Sequence, residues 1–74
     1  MYKIGDKVKV SSDNDNEGYD EFRNKTLIIT HVAHDISEHP GYDSGVSPAC
    51  LYDLKDEFGN EIYCSLYDYE LEAV

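Results

Sequence analysis

Strand-forming residues occur here in short runs separated by polar stretches that contain glycine, and this pattern restricts the fold more than any other feature. No window of about eleven or more residues has the 3.6-residue periodicity of an amphipathic helix. Along residues 2–10, apolar and charged side chains alternate instead, with lysines on the face opposite Val8 and Val10. Such alternation is typical of a half-buried strand. We therefore expect an all-β domain.

The same runs predict where the chain bends. Gly5 indicates a turn or bulge near the start of the first run. The spacing of Ile29 and Val32 predicts a β-bulge near Thr30, because only a bulge lets both side chains face the core. We expect five strands, at residues 2–10, 26–34, 49–55, 61–66 and 70–73, with long loops at 11–25 and 35–48 and a short turn at 67–69.

The third and fourth strands are predicted to form a hairpin whose register follows from the apolar pattern. A short loop that ends in Gly59, at positive φ, places Asp56 opposite Asn60. A slip by one residue would bring polar side chains onto the core face. The chosen register makes Cys50 and Cys64 diagonal neighbours, too far apart for a disulfide, so we expect two free, largely buried thiols. Its pairs are Leu54 with Ile62, Tyr52 with Cys64, and Cys50 with Leu66.

Charge limits the partners of this chain. The 74 residues, 1–74, suffice for one small domain and carry 16 Asp+Glu against 6 Lys+Arg, a net charge of -10. The shortage of cations, with Arg23 the only arginine, argues against direct nucleic-acid binding and against an anionic membrane surface. No segment approaches the about 18 apolar residues of a membrane span, and none has the pattern of a signal peptide. We expect a cytoplasmic protein with reduced cysteines.

Several motifs resemble those of small SH3-like barrels. Residues 5–10, Gly-Asp-Lys-Val-Lys-Val, are similar to the opening of KOW-type barrels. Residues 52–61, Tyr-Asp-Leu-Lys-Asp-Glu-Phe-Gly-Asn-Glu, followed by Tyr-Glu-Leu-Glu at 69–72, resemble small proteins of Gram-positive phages and prophages. The resemblance implies a small five-stranded SH3-like barrel with two long loops, working in the bacterial host cytoplasm. The chain lacks the basic loops of nucleic-acid-binding KOW barrels and, without tryptophan, the Trp-lined groove of peptide-binding SH3 domains.

The first long loop has part of the pattern of a calcium-binding loop. Carboxylates occupy the first, third and fifth positions, a glycine follows, and the ninth position is again a glutamate. The twelfth position is Asn24, which cannot supply the bidentate carboxylate, and the flanks are predicted strands rather than helices. A solvated acidic loop is the favoured interpretation, and weak calcium binding is the alternative. Its ligands would be Asp13, Asp15, Glu17 and Glu21.

Zinc binding and catalysis are the other chemical candidates. The zinc set would be His31, His34 and His39 with Cys50 and Cys64, but no Cys-x-x-Cys pair is present. No serine or cysteine lies in a local motif for nucleophilic catalysis, and a small filled barrel has no deep pocket. We expect no enzymatic activity and no cofactor.

An acidic row and neighbouring tyrosines point to protein binding. In an extended segment Asp68, Glu70 and Glu72 would project from one face about 6.7 Å apart, a spacing that can imitate a nucleic-acid backbone. Exposed tyrosines suit a protein interface, because they bury a large area at a low entropy cost. The plain alternative is a charged surface that keeps the protein soluble. The predicted surface contains Tyr63, Tyr67, Asp68, Glu70 and Glu72, beside Asp13, Asp15 and Glu17.

These features together predict a non-catalytic, acidic accessory protein of phage or prophage origin, monomeric and bound to a protein partner. In its sharper form it inhibits a basic, nucleic-acid-binding host protein by occupying the basic groove. Two alternatives remain. One is a metal-responsive module that uses weak calcium or zinc binding. The other is a structural phage component that self-assembles through the lysine face of the first strand.

Overall fold

Five antiparallel strands form one sheet in the computed structural model, which describes residues 2–12, 17–43, 45 and 49–74. These residues contain no α-helix, so the all-β prediction is confirmed. Strand order is β4-β3-β2-β1-β5, and no pairing joins the edge strands β4 and β5 within the described chain, so the sheet is open. The strands are β1 (Lys7–Val10), β2 (Leu27–Ala33), β3 (Leu51–Asp56), β4 (Leu66–Tyr67) and β5 (Leu71–Ala73), with 3-10 helices at Glu17–Phe22 and Asp68–Glu70, which we call the first and second 3-10 helix.

The first predicted strand begins later than expected, because a turn interrupts it. Gly5 has a φ of 93°, and the Asp6 N–H donates to the Lys3 carbonyl at 3.0 Å. Ile4, expected on the core face, is therefore 67% exposed. Alternation holds from Lys7 onward, where the lysines are exposed and the valines are buried.

The central strand β2 contains the predicted bulge. Its register with β3 shifts between Ile29 and His31, which confirms the irregularity near Thr30. Ile29 is buried, and Val32 is half-buried against the same core. The bulge thus lets side chains three positions apart pack on one side of the strand.

The hairpin after β3 follows the predicted register at its turn and departs from it further along. Gly59 has a φ of 89°, and the Asp56 N–H donates to the Asn60 carbonyl at 2.9 Å. The Ile62 N–H donates to the Leu54 carbonyl at 3.1 Å, as expected. Beyond this point Tyr52 pairs with Leu66 rather than with Cys64. The predicted strand 61–66 is thus replaced by an isolated bridge at Glu61 and the short β4.

The larger hydrophobic cluster of the described residues includes the end of the first 3-10 helix, and a smaller one contains Ala33, Tyr42 and Leu51. That helix forms inside the predicted 11–25 loop, and its Phe22 is buried. Both cysteines are free thiols, with Cys50 buried and Cys64 half-buried. No helix in the described part of the chain is long and apolar enough to cross a membrane. The most completely buried side chains are Tyr52, Leu27, Ile29, Leu54, Leu66, Val8 and Cys50.

Candidate functional site

Three tyrosines stack where β4 passes into the second 3-10 helix. The rings of Tyr67 and Tyr69 are parallel within 3°, with centroids 5.6 Å apart. The ring of Tyr42 meets Tyr67 edge-on, with centroids 5.8 Å apart. Tyr42 is 3% exposed and Tyr67 is half-buried, whereas Tyr69 is 62% exposed. The stack therefore has a buried base and one outer ring in water.

Two acidic residues lie beside this stack. The Asp43 N–H donates to the Tyr67 hydroxyl at 2.8 Å, which places Asp43 next to the rings. Partial desolvation and then the charge of Glu70 raise the pKa of Tyr69, and Asp43 adds to the effect. The Tyr67 and Tyr69 rings and the two carboxylates form one surface over the buried Tyr42, and we call this group the tyrosine face: Tyr42, Asp43, Tyr67, Tyr69 and Glu70.

Asp68 lies in the predicted acidic row but is directed inward. Its Oδ1 accepts a hydrogen bond from the hydroxyl of the buried Tyr52, and its Oδ2 accepts one from the Cys50 N–H at 2.9 Å. Burial and the hydrogen bond to Asp68 raise the pKa of Tyr52, so this hydroxyl stays protonated. Asp68 thus fixes the start of the second 3-10 helix against β3.

The other two carboxylates of the row also bond within the protein. Glu70 Oε1 accepts from the Tyr67 N–H at 2.9 Å, and the Tyr19 hydroxyl donates to the same carboxylate. Glu72 Oε1 accepts from the Ser12 N–H at 2.6 Å. The expected row on one extended face is therefore wrong, because Asp68–Glu70 is a 3-10 helix that turns successive side chains in different directions.

Tyr63 contacts the first 3-10 helix. It is 76% exposed, its hydroxyl donates to Glu21, and its ring packs on Phe22 with centroids 5.3 Å apart. It thus joins the segment after β3 to the first 3-10 helix. The predicted surface and calcium residues Asp13 and Asp15 lie outside the described residues, as does the side chain of Glu17. Partner binding by these residues stays a prediction.

A serine, a histidine and an aspartate meet near β3, but their protons are not arranged for nucleophilic catalysis. His39 Nδ1 accepts from the Gly41 N–H at 2.9 Å, so the proton of the neutral ring is on Nε2. Nε2 lies 3.1 Å from Asp53 Oδ1 and 3.2 Å from Ser65 Oγ. The Ser65 hydroxyl donates to Asp53 at 2.5 Å. A general base needs a free lone pair facing the serine, and here the facing nitrogen is protonated.

The other histidines contact different parts of the chain. His34 Nδ1 lies 3.4 Å from the sulfur of the buried Cys50, and His31 Nε2 lies 3.2 Å from the Glu38 carbonyl. Burial raises the pKa of Cys50, which favours the thiol over the thiolate. Among the described residues no three His, Cys, Asp or Glu side chains converge as metal ligands.

Comparison with known proteins adds no relative: no family model, curated protein or solved structure matches the chain. The sequence analysis predicted Tyr67 and Glu70 as surface residues of the binding site but missed Tyr69 and Asp43. It correctly placed Tyr42 in a loop, without predicting its contact with Tyr67. The Tyr67-x-Tyr69 spacing was the feature of the sequence that could have indicated a pair of stacked rings. Its meaning depends on the 3-10 helix, because only that turn brings the two rings parallel.

Proposed function

We propose that this protein is a non-catalytic binding module whose tyrosine face docks a basic segment of a partner protein. The observation that carries the proposal is the outer ring of Tyr69, which stacks on Tyr67 and stays 62% exposed. What sets Tyr69 apart is that stacking on Tyr67 holds its exposed ring, and such a ring suits an interface, since tyrosine has few rotatable bonds to immobilise.

The chemistry of the tyrosine face favours a cationic partner. The uncovered side of the Tyr69 ring can take a guanidinium or ammonium group through a cation–π contact. Asp43 and Glu70 supply negative charge beside that ring. Arginine suits this position better than lysine, because its planar guanidinium stacks on an aromatic face and bonds a carboxylate at the same time.

The overall charge supports the same partner chemistry. A net charge of -10 on 74 residues gives a negative field that attracts basic proteins and accelerates their encounter. The inhibitor form of the hypothesis, in which the protein occupies a basic nucleic-acid-binding groove of a host protein, remains compatible with this field. It no longer depends on regularly spaced carboxylates, because the row at Asp68, Glu70 and Glu72 is engaged in internal hydrogen bonds.

We further infer an SH3-like barrel class and a phage or prophage origin. Five short antiparallel strands, of which β1 to β4 pair in sequence order and β5 returns to pair with β1, support this class, as do the long connections before β2 and before β3. The motif resemblance at residues 5–10 and 52–61 supports the origin.

A capture experiment from Gram-positive bacterial lysate tests the function. The immobilised protein should retain a basic protein at low salt and release it at high salt, because screening weakens the charge-driven part of the interaction. Tyr69→Ala should lose the captured protein. Phe58→Ala, which removes an aromatic side chain that is 91% exposed at the hairpin turn, is the matched control and should retain it. Capture that survives Tyr69→Ala would contradict the proposed surface.

A further inference from the structure

A second surface of opposite character lies between β1, β5 and the chain after the first 3-10 helix. It is an open cavity of about 450 Å³. Lys9, Arg23 and Lys25 line it, and they are three of the 6 cations in the whole sequence. Ser12 and Thr26 add hydroxyl groups to its wall. In a chain with 16 acidic residues, this convergence of cations sets the cavity apart from the rest of the surface.

The walls of the cavity are held by internal contacts. Arg23 Nε bonds Asp20 Oδ1 at 2.7 Å, and the Lys25 N–H donates to the Phe22 carbonyl at 3.2 Å. Between them, Asn24 has a φ of 67°, in the left-handed region that asparagine tolerates better than most residues. This turn places Arg23 and Lys25 on the same cavity. The backbone therefore holds the side chains of Arg23 and Lys25 at the cavity before any ligand binds.

Asp20 partly offsets the charge of Arg23, so the two lysines are the cations of the wall best placed to meet an anion. Lys9 and Lys25 form no ion pair within the described part of the chain, although Lys25 is close enough to Asp56 to contribute to that carboxyl's lowered pKa. Glu72 is the one acidic side chain in the described wall, and its Oε1 is occupied by the Ser12 N–H at 2.6 Å.

We propose that this cavity binds a small phosphate-bearing molecule. The ammonium group of Lys9 on β1 and the cations of Arg23 and Lys25 after the first 3-10 helix can contact the oxygens of a tetrahedral phosphate, with the hydroxyls of Ser12 and Thr26 as further donors. The volume lies within the range of small-molecule sites, about 300–1,000 Å³, and exceeds what one phosphate fills. Val10 and Val74 offer apolar contact to the remainder of the ligand. This site does not depend on the proposed function of the tyrosine face.

Amide NMR titration of the ¹⁵N-labelled protein with inorganic pyrophosphate tests the site. Saturable shifts are expected at the amides of Ser12, Lys25 and Thr26. The double variant Lys9→Gln/Lys25→Gln should bind about thirtyfold more weakly, since two charges are removed and each is worth about 1 kcal/mol at contact in water. The double variant Lys3→Gln/Lys7→Gln loses the same net charge outside the cavity and should bind like the parent protein.

Three results would overturn the proposal. Shifts that rise linearly without saturation would mean that there is no site. Equal weakening in both double variants would mean that pyrophosphate responds only to net charge. A parallel titration in which citrate binds as tightly as pyrophosphate would mean that the cavity does not select phosphate.

Discussion

The hydroxyl of Tyr52, which is fully buried in β3, donates a hydrogen bond to Asp68, 16 residues further along the chain. The second oxygen of Asp68 accepts from the Cys50 N–H, so one carboxylate joins β3 to the start of the second 3-10 helix. Tyr69 is the next residue in that helix. The interior contact between Tyr52 and Asp68 therefore positions the outer ring of the tyrosine face.

Removing the charge of Asp68 should destabilise the fold. In Asp68→Asn one oxygen becomes an amide that cannot accept a hydrogen bond, so either the Tyr52 hydroxyl or the Cys50 N–H loses its partner. The expected loss is about 1–3 kcal/mol in the free energy of unfolding, measured by urea denaturation. Glu57→Gln, at an exposed position in the hairpin turn, should change stability little. Equal effects in both variants would show that Asp68 is not an interior anchor.

The hairpin turn should be sensitive to backbone conformation alone. Gly59 has a φ of 89°, and a Cβ added there would meet nothing within 4 Å. Gly59→Ala should therefore cost about 1–2 kcal/mol from the left-handed backbone, without any steric clash. Gly59→Asn should cost less, because asparagine tolerates positive φ better than alanine. Thermal or urea unfolding measures both, and an equal cost for the two substitutions would contradict this explanation.

The two thiols should differ in reactivity. Cys50 is 0% exposed, whereas Cys64 is half-buried, and burial followed by the charge of Glu70 raises the pKa of Cys64. The native protein should therefore react with a thiol reagent at Cys64 first, and more slowly than a free peptide thiol does. In urea both cysteines should react. Cys64→Ser should remove the first phase, and Cys50→Ala should retain it. A native first phase assigned to Cys50 would contradict the burial described above.

Stability should fall in alkaline solution through the half-buried Tyr19 phenol. Burial, followed by a hydrogen bond to Glu70, raises the pKa of Tyr19 from 10.0 to about 12. Between these values the folded state holds a proton that the unfolded state releases, so unfolding becomes easier as the pH rises from 10.0 to about 12. Urea denaturation across this range should give a shallower decline for Tyr19→Phe than for the parent protein. Parallel declines would mean that Tyr19 titrates normally.

The hairpin shows how far a sequence pattern can specify register. The predicted pairing of Leu54 with Ile62 is correct, but that of Tyr52 with Cys64 is wrong, because Tyr52 pairs with Leu66. A shift of two residues leaves the inward and outward alternation unchanged, so the apolar pattern cannot detect it. A slip of one residue would have changed the exposed face, and that slip was correctly excluded.

The directions of the carboxylates in the acidic row could not be predicted from the sequence, for a different reason. Alternation of Asp68, Glu70 and Glu72 implies a common face only if the backbone is extended. Asp68–Glu70 instead forms a 3-10 helix. This helix depends on contacts between residues that are far apart in the sequence, such as the hydrogen bond between Asp68 and Tyr52. Local patterns therefore predicted β2, β3 and the bulge in β2, whereas the extent of the first and fourth strands and the direction of each carboxylate depend on the folded interior.

Binding of a basic peptide is the most direct test of the central claim that the tyrosine face docks a cationic partner. Amide NMR titration with an arginine-rich peptide should give saturable shifts confined to residues 42–43 and 67–70. Tyr69→Ala should weaken that binding about fivefold or more, given a cation–π contribution of about 1 kcal/mol, and Phe58→Ala should leave it unchanged. Shifts spread over the acidic surface, or equal affinity in Tyr69→Ala and the parent protein, would contradict the account.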